Sequence, residues 1–339
     1  MTDRRATGAL SAADYIDGVR NGDRIMLGRA ITLIESSLPS HAALATAVLD
    51  GLGIGSDSAV RIGITGVPGV GKSTFIEALG CHVIEQGHRV AVLAVDPSSV
   101  RTGGSILGDR TRMERLSRDA RCFIRPTPSA GTTGGVARRT MEAMMLCEAA
   151  GFDVIFIETV GVGQNEVAVR NLADLFLLLL LPNAGDSLQG IKRGIMELAD
   201  CVVVNKADGV HVEAAATARQ ETESALALLQ PATVGWRTSV QVCSSLEGTG
   251  IADIWKTVGA FAQHIRTTGL QPERRAQQLR DWFRNRLEQR VNDAFFHNPA
   301  TEQALPATER AFAEGRCRLK DGMDALLKAG FEGALEELK

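Results

Sequence analysis

The strongest constraint on the fold of this chain is the segment Gly66 to Ser73, which reads GVPGVGKS and has the spacing G-x4-G-K-S. It follows an apolar run, Val60 to Thr65, that is typical of a buried strand, and it precedes a helical pattern of apolar residues. Between a strand and a helix, such glycines let successive backbone N–H groups surround a phosphate, and the positive end of the helix dipole faces the same anion. The segment therefore predicts a nucleotide-phosphate site rather than a glycine-rich turn that matches by chance.

Two side chains of this segment, those of Lys72 and Ser73, can take part in binding phosphate and metal. Lys72 is expected to neutralise the oxygens of the β- and γ-phosphates, and Ser73 to offer its hydroxyl to Mg²⁺. The predicted nucleotide contacts of the segment are Gly66, Pro68, Gly69, Val70, Gly71, Lys72, Ser73 and Thr74.

The rest of the chain predicts an α/β fold with helical additions at both ends. From residue 57 to 268, runs of Val, Ile and Leu alternate with helical patterns, which is typical of a P-loop domain whose mostly parallel sheet is covered on both faces. Residues 1–56 have helical spacing and form a predicted N-terminal helical region. Residues 269–339 are also helical, and their apolar stripes have no obvious place on a two-faced sheet, so we interpret them as a dimerisation arm.

Within that arm, Leu279, Phe283, Leu287, Val291 and Phe295 recur every four residues, while arginines take the other faces. We expect the basic face, which includes Arg274 and Arg275, to be solvated, with an anionic partner as the alternative.

Charge and cysteine usage exclude several classes of protein. The net charge of −3 does not favour nucleic-acid binding, and the longest apolar run is too short to cross a bilayer. The six cysteines are scattered, without the spacing of a zinc site or a disulfide framework. We therefore expect a cytoplasmic protein with reduced thiols and no membrane partner.

A second motif, Asn205-Lys206-Ala207-Asp208, ends another buried apolar strand. The carboxylate of Asp208 can accept hydrogen bonds from N1–H and the 2-amino group of guanine, a donor pair that adenine lacks. The motif therefore predicts GTP and GDP as ligands. Backbone N–H groups of the next loop, at Ser244, Ser245 and Leu246, are expected to reach the guanine O6 atom.

Three further acidic residues are predicted around the phosphates. Asp96 and Glu158 end buried strands, and Asp109 lies in the polar loop after Asp96. With Ser73, these carboxylates are the predicted Mg²⁺ ligands, directly or through water. Gly161 is expected to donate its N–H to the γ-phosphate, and the next residue, Val162, cannot orient a water as a glutamine would, so hydrolysis by the chain alone should be slow.

A polar loop from Pro182 to Lys192 carries Asp186 and Lys192, which could respond to nucleotide state or simply cap and decorate a helix. Arg101, Arg110 and Arg112 are open to the same two interpretations, as charge stabilisers or as structural residues. The predicted catalytic residues are Lys72, Asp96, Asp109, Glu158 and Lys192.

Together the motifs GVPGVGKST, VDPSS, GGSILGDRTRM, ETVGVGQNE, LLLPNAGDSLQGIKRGIMELAD and NKAD resemble the MeaB/ArgK family of methylmalonyl-CoA mutase-associated GTPases. The resemblance implies a G domain of the metallochaperone and signal-recognition class and a homodimer built through C-terminal helices. It also implies three switch loops, at Asp96 to Asp109, Glu158 to Glu166, and about Leu177 to Lys192. One departure is Gly131-Thr132-Thr133-Gly134-Gly135, where the family pattern has a leucine before the paired glycines.

The function implied by the resemblance is that of a GTP-hydrolysing chaperone of an adenosylcobalamin-dependent mutase, with methylmalonyl-CoA mutase as the leading partner. It would gate cofactor loading and protect the mutase from inactivation. Alternatives are a nickel-type metallochaperone GTPase, disfavoured by the lack of Cys/His metal motifs, and a kinase or ATPase coupled to basic amino-acid transport, disfavoured by Asp208. A GTP-bound scaffold without turnover is a further alternative that kinetics would separate.

Overall fold

The chain, described here from a computed structural model, begins with a layer of three helices. The structure describes residues 10–36, 38–53, 59–96, 113–128, 133–159, 166–182 and 193–337. The first helices are α1 (Ala12–Arg20), α2 (Arg24–Glu35) and α3 (Pro39–Leu52). Ser11 and Asp14 form a capping box at the start of α1, and Asp23 caps α2, so local sequence fixes where both helices begin.

In the described residues, a parallel sheet of seven strands forms the centre of the fold. The strands are β1 (Val60–Gly66), β2 (Val90–Asp96), β3 (Cys122–Pro128), β4 (Val154–Thr159), β5 (Leu175–Leu180), β6 (Cys201–Val204) and β7 (Ser239–Val242). Their order in the sheet is β3-β2-β4-β1-β5-β6-β7, and every strand pair is parallel. Their Val, Ile and Leu side chains are almost all buried, as expected for strands covered on both faces.

Helices lie on both faces of this sheet. These helices are α4 (Lys72–Glu85), α5 (Glu114–Arg118), α6 (Thr133–Ala149), α7 (Glu166–Leu172), α8 (Arg193–Met196), α9 (Val212–Leu226) and α10 (Ile251–Thr267). On one face α4 contacts α5 and α10, and on the other α6 contacts α7 and the N-terminal α2. The prediction of an α/β domain with a parallel sheet is therefore confirmed.

The strand order places a ligand crevice beside β1. The chain runs outward from β1 to β2 and β3, then returns through β4 to the other side of β1. In sheets of this kind ligands bind at the carboxyl ends of the strands, where the order reverses. The loop from Val67 to Gly71 leaves β1 at that point, and Glu158 is the penultimate residue of the neighbouring β4.

Three helices complete the chain: α11 (Leu270–Phe296), α12 (Pro299–Ala313) and α13 (Leu319–Glu337). The chain divides into two compact units, one up to Gln278 and one from Leu279, so the division falls inside α11. In the second unit, α12 packs against α13, and Asn298 caps α12 while donating a hydrogen bond to the carbonyl of Gly330 at 3.2 Å. The three-region division at 56 and 268 stays a prediction.

One expectation about the arginines of α11 is wrong. Arg275 is only 5% exposed instead of solvated. Its guanidinium contacts the carboxylates of Asp174 at 2.6 Å and Glu148 at 3.3 Å, and Arg61 binds Glu148 at 2.7 Å. Burial is possible because two carboxylates match the two guanidinium groups. This network lies at the amino ends of β1 and β5, opposite the carboxyl ends at which such sheets bind ligands.

Across the described parts of the chain, the apolar stretches of the helices all fall short of what a bilayer span requires.

Candidate functional site

The loop between β1 and α4 has the backbone that a phosphate cradle requires. Gly71 adopts φ 91°, a left-handed conformation, and a Cβ at this position would lie 3.1 Å from the side-chain nitrogen of Asn205. Val70 is fully buried beneath the loop and its N–H closes a turn onto the carbonyl of Val67 at 3.2 Å. Glycine is therefore needed at position 71 both for its conformation and for the close approach of the Asn205 motif.

The side chain of Lys72 is hydrogen-bonded to the backbone of the phosphate loop. Its ammonium donates to the carbonyl of Gly66 at 2.8 Å and, more weakly, to that of Val67 at 3.4 Å. Burial lowers the pKa of Lys72, and the carboxylates of Glu158 and Glu166 act in the opposite direction. The ammonium thus lies at the start of α4 among groups that keep it positioned for phosphate oxygens.

The predicted hydroxyl and carboxylate ligands of Mg²⁺ lie together. The Ser73 hydroxyl donates to Oε1 of Glu158 at 3.2 Å, and the residue Glu158 is 5% exposed. Glu158 is in register with Ile64 of β1 and Ala94 of β2, so the sheet itself sets its position. A hydroxyl and a carboxylate are oxygen donors of the type that Mg²⁺ prefers, so this pair fits the ion.

The base motif is joined to the phosphate loop through Asn205. Its side-chain nitrogen donates to the carbonyl of Val70 at 2.9 Å, and its oxygen accepts from both the amide, at 3.1 Å, and the hydroxyl, at 2.7 Å, of Ser245. Asn205 is 1% exposed. One amide side chain therefore fixes the spacing between the phosphate loop and the loop that contains Ser245.

Asp208 is oriented by the hydroxyl of Ser244, which donates to its Oδ2 at 2.5 Å. The Ser244 oxygen also accepts from the amide of Glu247 at 3.1 Å, which tightens the turn. Two of the three predicted backbone donors for guanine O6 are already used: the Ser244 amide donates to the carbonyl of Thr249 at 3.1 Å, and the Ser245 amide to Asn205. We therefore expect the amide of Leu246, a residue that is 82% exposed, to be the donor.

Several predicted site residues lie outside the described residues. They are Asp109, Gly161 and Lys192, in ranges 97–112, 160–165 and 183–192. Asp96 ends β2 and pairs in register with Pro128, but only its backbone is described. Pro68, Gly69 and Thr74 belong to the phosphate loop and the first turn of α4.

Two features of the site were not found from the sequence. Glu166, at the start of α7, is 5% exposed, and its charge acts on Lys72. Lys206 adopts φ 61°, the left-handed region that non-glycine residues rarely occupy. Neither feature has a sequence pattern of its own, because burial and backbone strain at these positions depend on the surrounding fold.

Comparison with known proteins decides between the classes of nucleotide-binding protein. A family model described as "Methylmalonyl Co-A mutase-associated GTPase MeaB" matches residues 27–300. The chain belongs to the MeaB family of GTPases. It is therefore a GTP hydrolase.

Several known proteins are similar to this chain in sequence or in structure. A probable GTPase of Mycobacterium tuberculosis is 53% identical over 89% of this chain and 91% of its own length. The mitochondrial methylmalonic aciduria type A homolog of Mus musculus is 44% identical over 92% of this chain and 78% of its own length. A solved structure described as a LAO/AO transport system kinase is 37% identical, with a TM-score of 0.72, covering 96% of this chain and 99% of that one.

Proposed function

We propose that this MeaB-family GTPase is the chaperone of an adenosylcobalamin-dependent mutase, with methylmalonyl-CoA mutase as its partner. GTP hydrolysis would gate loading of the cofactor onto the mutase and protect the mutase from inactivation. The observation that carries the proposal is the family match over residues 27–300, whose description names association with this mutase. The name of the mouse relative refers to the same metabolite class.

In this proposed function, different residues of the site bind the phosphates, the base and the metal ion. The phosphate loop and Lys72 would bind the β- and γ-phosphates, while Asp208 and the loop at Leu246 would select guanine. Mg²⁺, held by Ser73 and Glu158 and completed by Asp96 and Asp109, would neutralise charge on the phosphates. Because Val162 follows Gly161 in place of a glutamine, we expect slow hydrolysis until a partner supplies the missing contribution.

We propose that the loop from Pro182 to Lys192 couples the nucleotide state to the interaction with the partner. It connects β5, which neighbours β1 in the sheet, to α8. Its opposite charges at Asp186 and Lys192 could select between two arrangements according to the γ-phosphate. Typical coupling free energies of about 1–3 kcal/mol would change partner affinity or gating by roughly 5- to 150-fold between the GDP and GTP states.

The test is the variant Lys192→Ala, assayed with purified methylmalonyl-CoA mutase. We expect nearly unchanged GDP affinity, because no contact with the base is implied, together with reduced mutase-stimulated GTP hydrolysis and reduced nucleotide control of adenosylcobalamin transfer. Lys256→Ala is the matched control, since Lys256 is an exposed lysine of α10 that pairs with Asp253 on the same helix. Full stimulation and full gating in Lys192→Ala would assign this loop to helix capping.

A different activity, phosphorylation coupled to basic amino-acid transport, is suggested only by the name of the solved relative. The bond between Ser244 and Asp208 supports the guanine interpretation instead, because it orients a carboxylate acceptor that adenine's edge would leave unmatched.

We also propose that the chain forms a homodimer through its C-terminal helices. Phe283, Leu287 and Val291 follow one another every four residues on α11 and are 65%, 53% and 46% exposed. Large apolar side chains exposed in a row are typical of an association surface.

Leu287→Glu is therefore expected to convert the dimer to a monomer in light scattering, because it places a charge within the apolar row. Gln289→Glu adds the same charge at an exposed position of the same helix and should leave the dimer intact. Truncation at Thr268 is a poorer test, since it also removes Arg275 and its buried ion pairs from the first unit. A Leu287→Glu protein that stays dimeric would assign the interface elsewhere.

A further inference from the structure

A cluster of charged side chains lies between β3, α6 and α2, outside the nucleotide site. Arg125 of β3 contacts Oε2 of Glu35, on α2, at 2.5 Å. One turn apart on α6, Arg138 contacts Glu142 at 3.0 Å. Arg139 lies next to Arg138 in the second turn of that helix and is partly exposed. In the described part of the chain, the cluster therefore contains three guanidinium groups and two carboxylates.

The hydrogen-bond donors of this cluster are not all used. The Nε atoms of Arg125, Arg138 and Arg139 are buried and have no hydrogen-bond partner among the residues that the structure describes. Arg138 and Glu142 have side-chain exposures of 9% and 0%, so this pair lies in the interior. Burial and the like charge of Arg138 lower the pKa of Arg139, although Glu35 and Glu142 oppose the shift.

Internal pairing does not balance the cluster. Glu35 also has one buried oxygen, Oε1, without a partner in the described part of the chain, and a bond from Arg139 to that oxygen would satisfy both groups. Even then, among the residues that the structure describes, the three cations of the cluster would face its two anions, an excess of one positive charge. Buried donors without acceptors are costly, and guanidinium groups bind planar or tetrahedral oxyanions through paired N–H bonds.

This cluster is separate from the nucleotide phosphates. Strand β3 is the edge strand and stands three places from β1 in the sheet. With neighbouring strands about 4.8 Å apart, the two strands are separated by roughly 14 Å. This distance applies to Arg125, while Arg138 and Arg139 lie on α6, which contacts β3 and its neighbour β2. The ligand that suits the cluster is therefore a second anion and not the γ-phosphate of GTP.

We propose that Arg125, Arg138 and Arg139 form a second oxyanion site, which takes a phosphate or carboxylate group. Arg139 supplies the positive charge that the two carboxylates of the cluster do not neutralise. Because Arg139 is partly exposed, an anion can reach it from solvent. Arg125, which pairs with Glu35, and Arg138, which pairs with Glu142, complete the site.

The experiment uses the full chain saturated with Mg²⁺ and a non-hydrolysable GTP analogue, so that the nucleotide site is filled. Inorganic phosphate is titrated at constant ionic strength, and its ³¹P NMR line width reports binding. Acetate is then added as a competitor, which distinguishes a site for oxyanions in general from one that prefers phosphate. We expect saturable broadening of the phosphate line in the parent protein.

Arg139→Gln should weaken phosphate binding by at least about tenfold, because a charge-assisted hydrogen bond is lost. Arg139→Lys keeps the charge without the forked donors and should bind with intermediate affinity. Arg237→Gln is the matched control: Arg237 lines a cavity beside β7, the opposite edge strand of the sheet. It should bind phosphate like the parent protein.

Equal broadening in Arg139→Gln and the parent protein would overturn the proposal, as would the absence of saturable binding by both anions. Loss of binding in Arg237→Gln as well as in Arg139→Gln would also overturn it, since the effect would then follow net charge. Both Arg139 variants change a partly exposed side chain, so circular dichroism and retained GTP-analogue binding will verify folding before each titration.

Discussion

Asp208→Asn is expected to lower the affinity for GDP by about 100- to 10,000-fold and to make xanthine nucleotides the preferred ligands. The carboxylate of Asp208 would accept two hydrogen bonds from guanine, and bonds to a charged group contribute about 1.5–3 kcal/mol each. Xanthine has a 2-oxo group where guanine has a 2-amino group, so an asparagine N–H₂ can donate to it. Competition between labelled GDP, XDP and ADP will measure the change.

The substitution preserves the shape of the pocket. The side-chain oxygen of asparagine can still accept the bond from the Ser244 hydroxyl, which is 2.5 Å from Asp208 in the parent protein. Asp253→Asn is the control, because Asp253 is an exposed acid on α10 whose side chain pairs with Lys256. If Asp208→Asn bound GDP as tightly as the control, or if the parent protein bound ADP and GDP equally, Asp208 would not be the residue that recognises the base.

The second large effect is expected at the amino ends of β1 and β5, where Arg275→Met should lower the free energy of unfolding by about 3–5 kcal/mol. The substitution removes the cation that faces Asp174 and Glu148, whose side chains are 2% and 0% exposed. Removing one partner of a buried pair leaves an uncompensated charge in a low-dielectric interior. Urea denaturation of the GDP-saturated protein, with linear extrapolation, gives the difference.

Arg219→Met is the matched control for that experiment. Arg219 pairs with Glu223 on α9, but the two side chains are 51% and 43% exposed, so we expect a change below about 1 kcal/mol. In the double variant Arg275→Met, Asp174→Asn, part of the loss should be recovered, since asparagine carries no charge to be stranded. Similar midpoints for Arg275→Met and Arg219→Met would show that the buried network contributes little to stability.

The Arg275 variant also separates stability from activity. The network joins the amino ends of β1 and β5, while the proposed nucleotide site lies at the carboxyl ends of the strands. Below its unfolding transition, Arg275→Met should therefore keep the nucleotide preference of the parent protein.

Most of the central domain could be predicted from the sequence because its signals are local. The glycine spacing from Gly66 to Gly71 requires a particular backbone, and continuous Val, Ile and Leu runs identify buried strands without any knowledge of their neighbours. The motif Asn205 to Asp208 carries its own chemistry in a carboxylate acceptor. For these reasons the sheet and the family were accessible before the structure, and the residues of the GTP site stay a prediction from the sequence.

The tertiary structure decided which of these groups meet and which charges are buried. Nothing in the sequence indicates that Asn205 bonds to Val70, that Glu166 acts on Lys72, or that Arg275 is buried. A pattern with helical period distinguishes the faces of α11 but not what covers them, so Arg274 and Arg275 could be assigned only to a polar face. Whether an arginine is solvated or paired depends on carboxylates that lie about a hundred residues away in the chain, as Asp174 does from Arg275, and only the fold brings such residues within hydrogen-bonding distance.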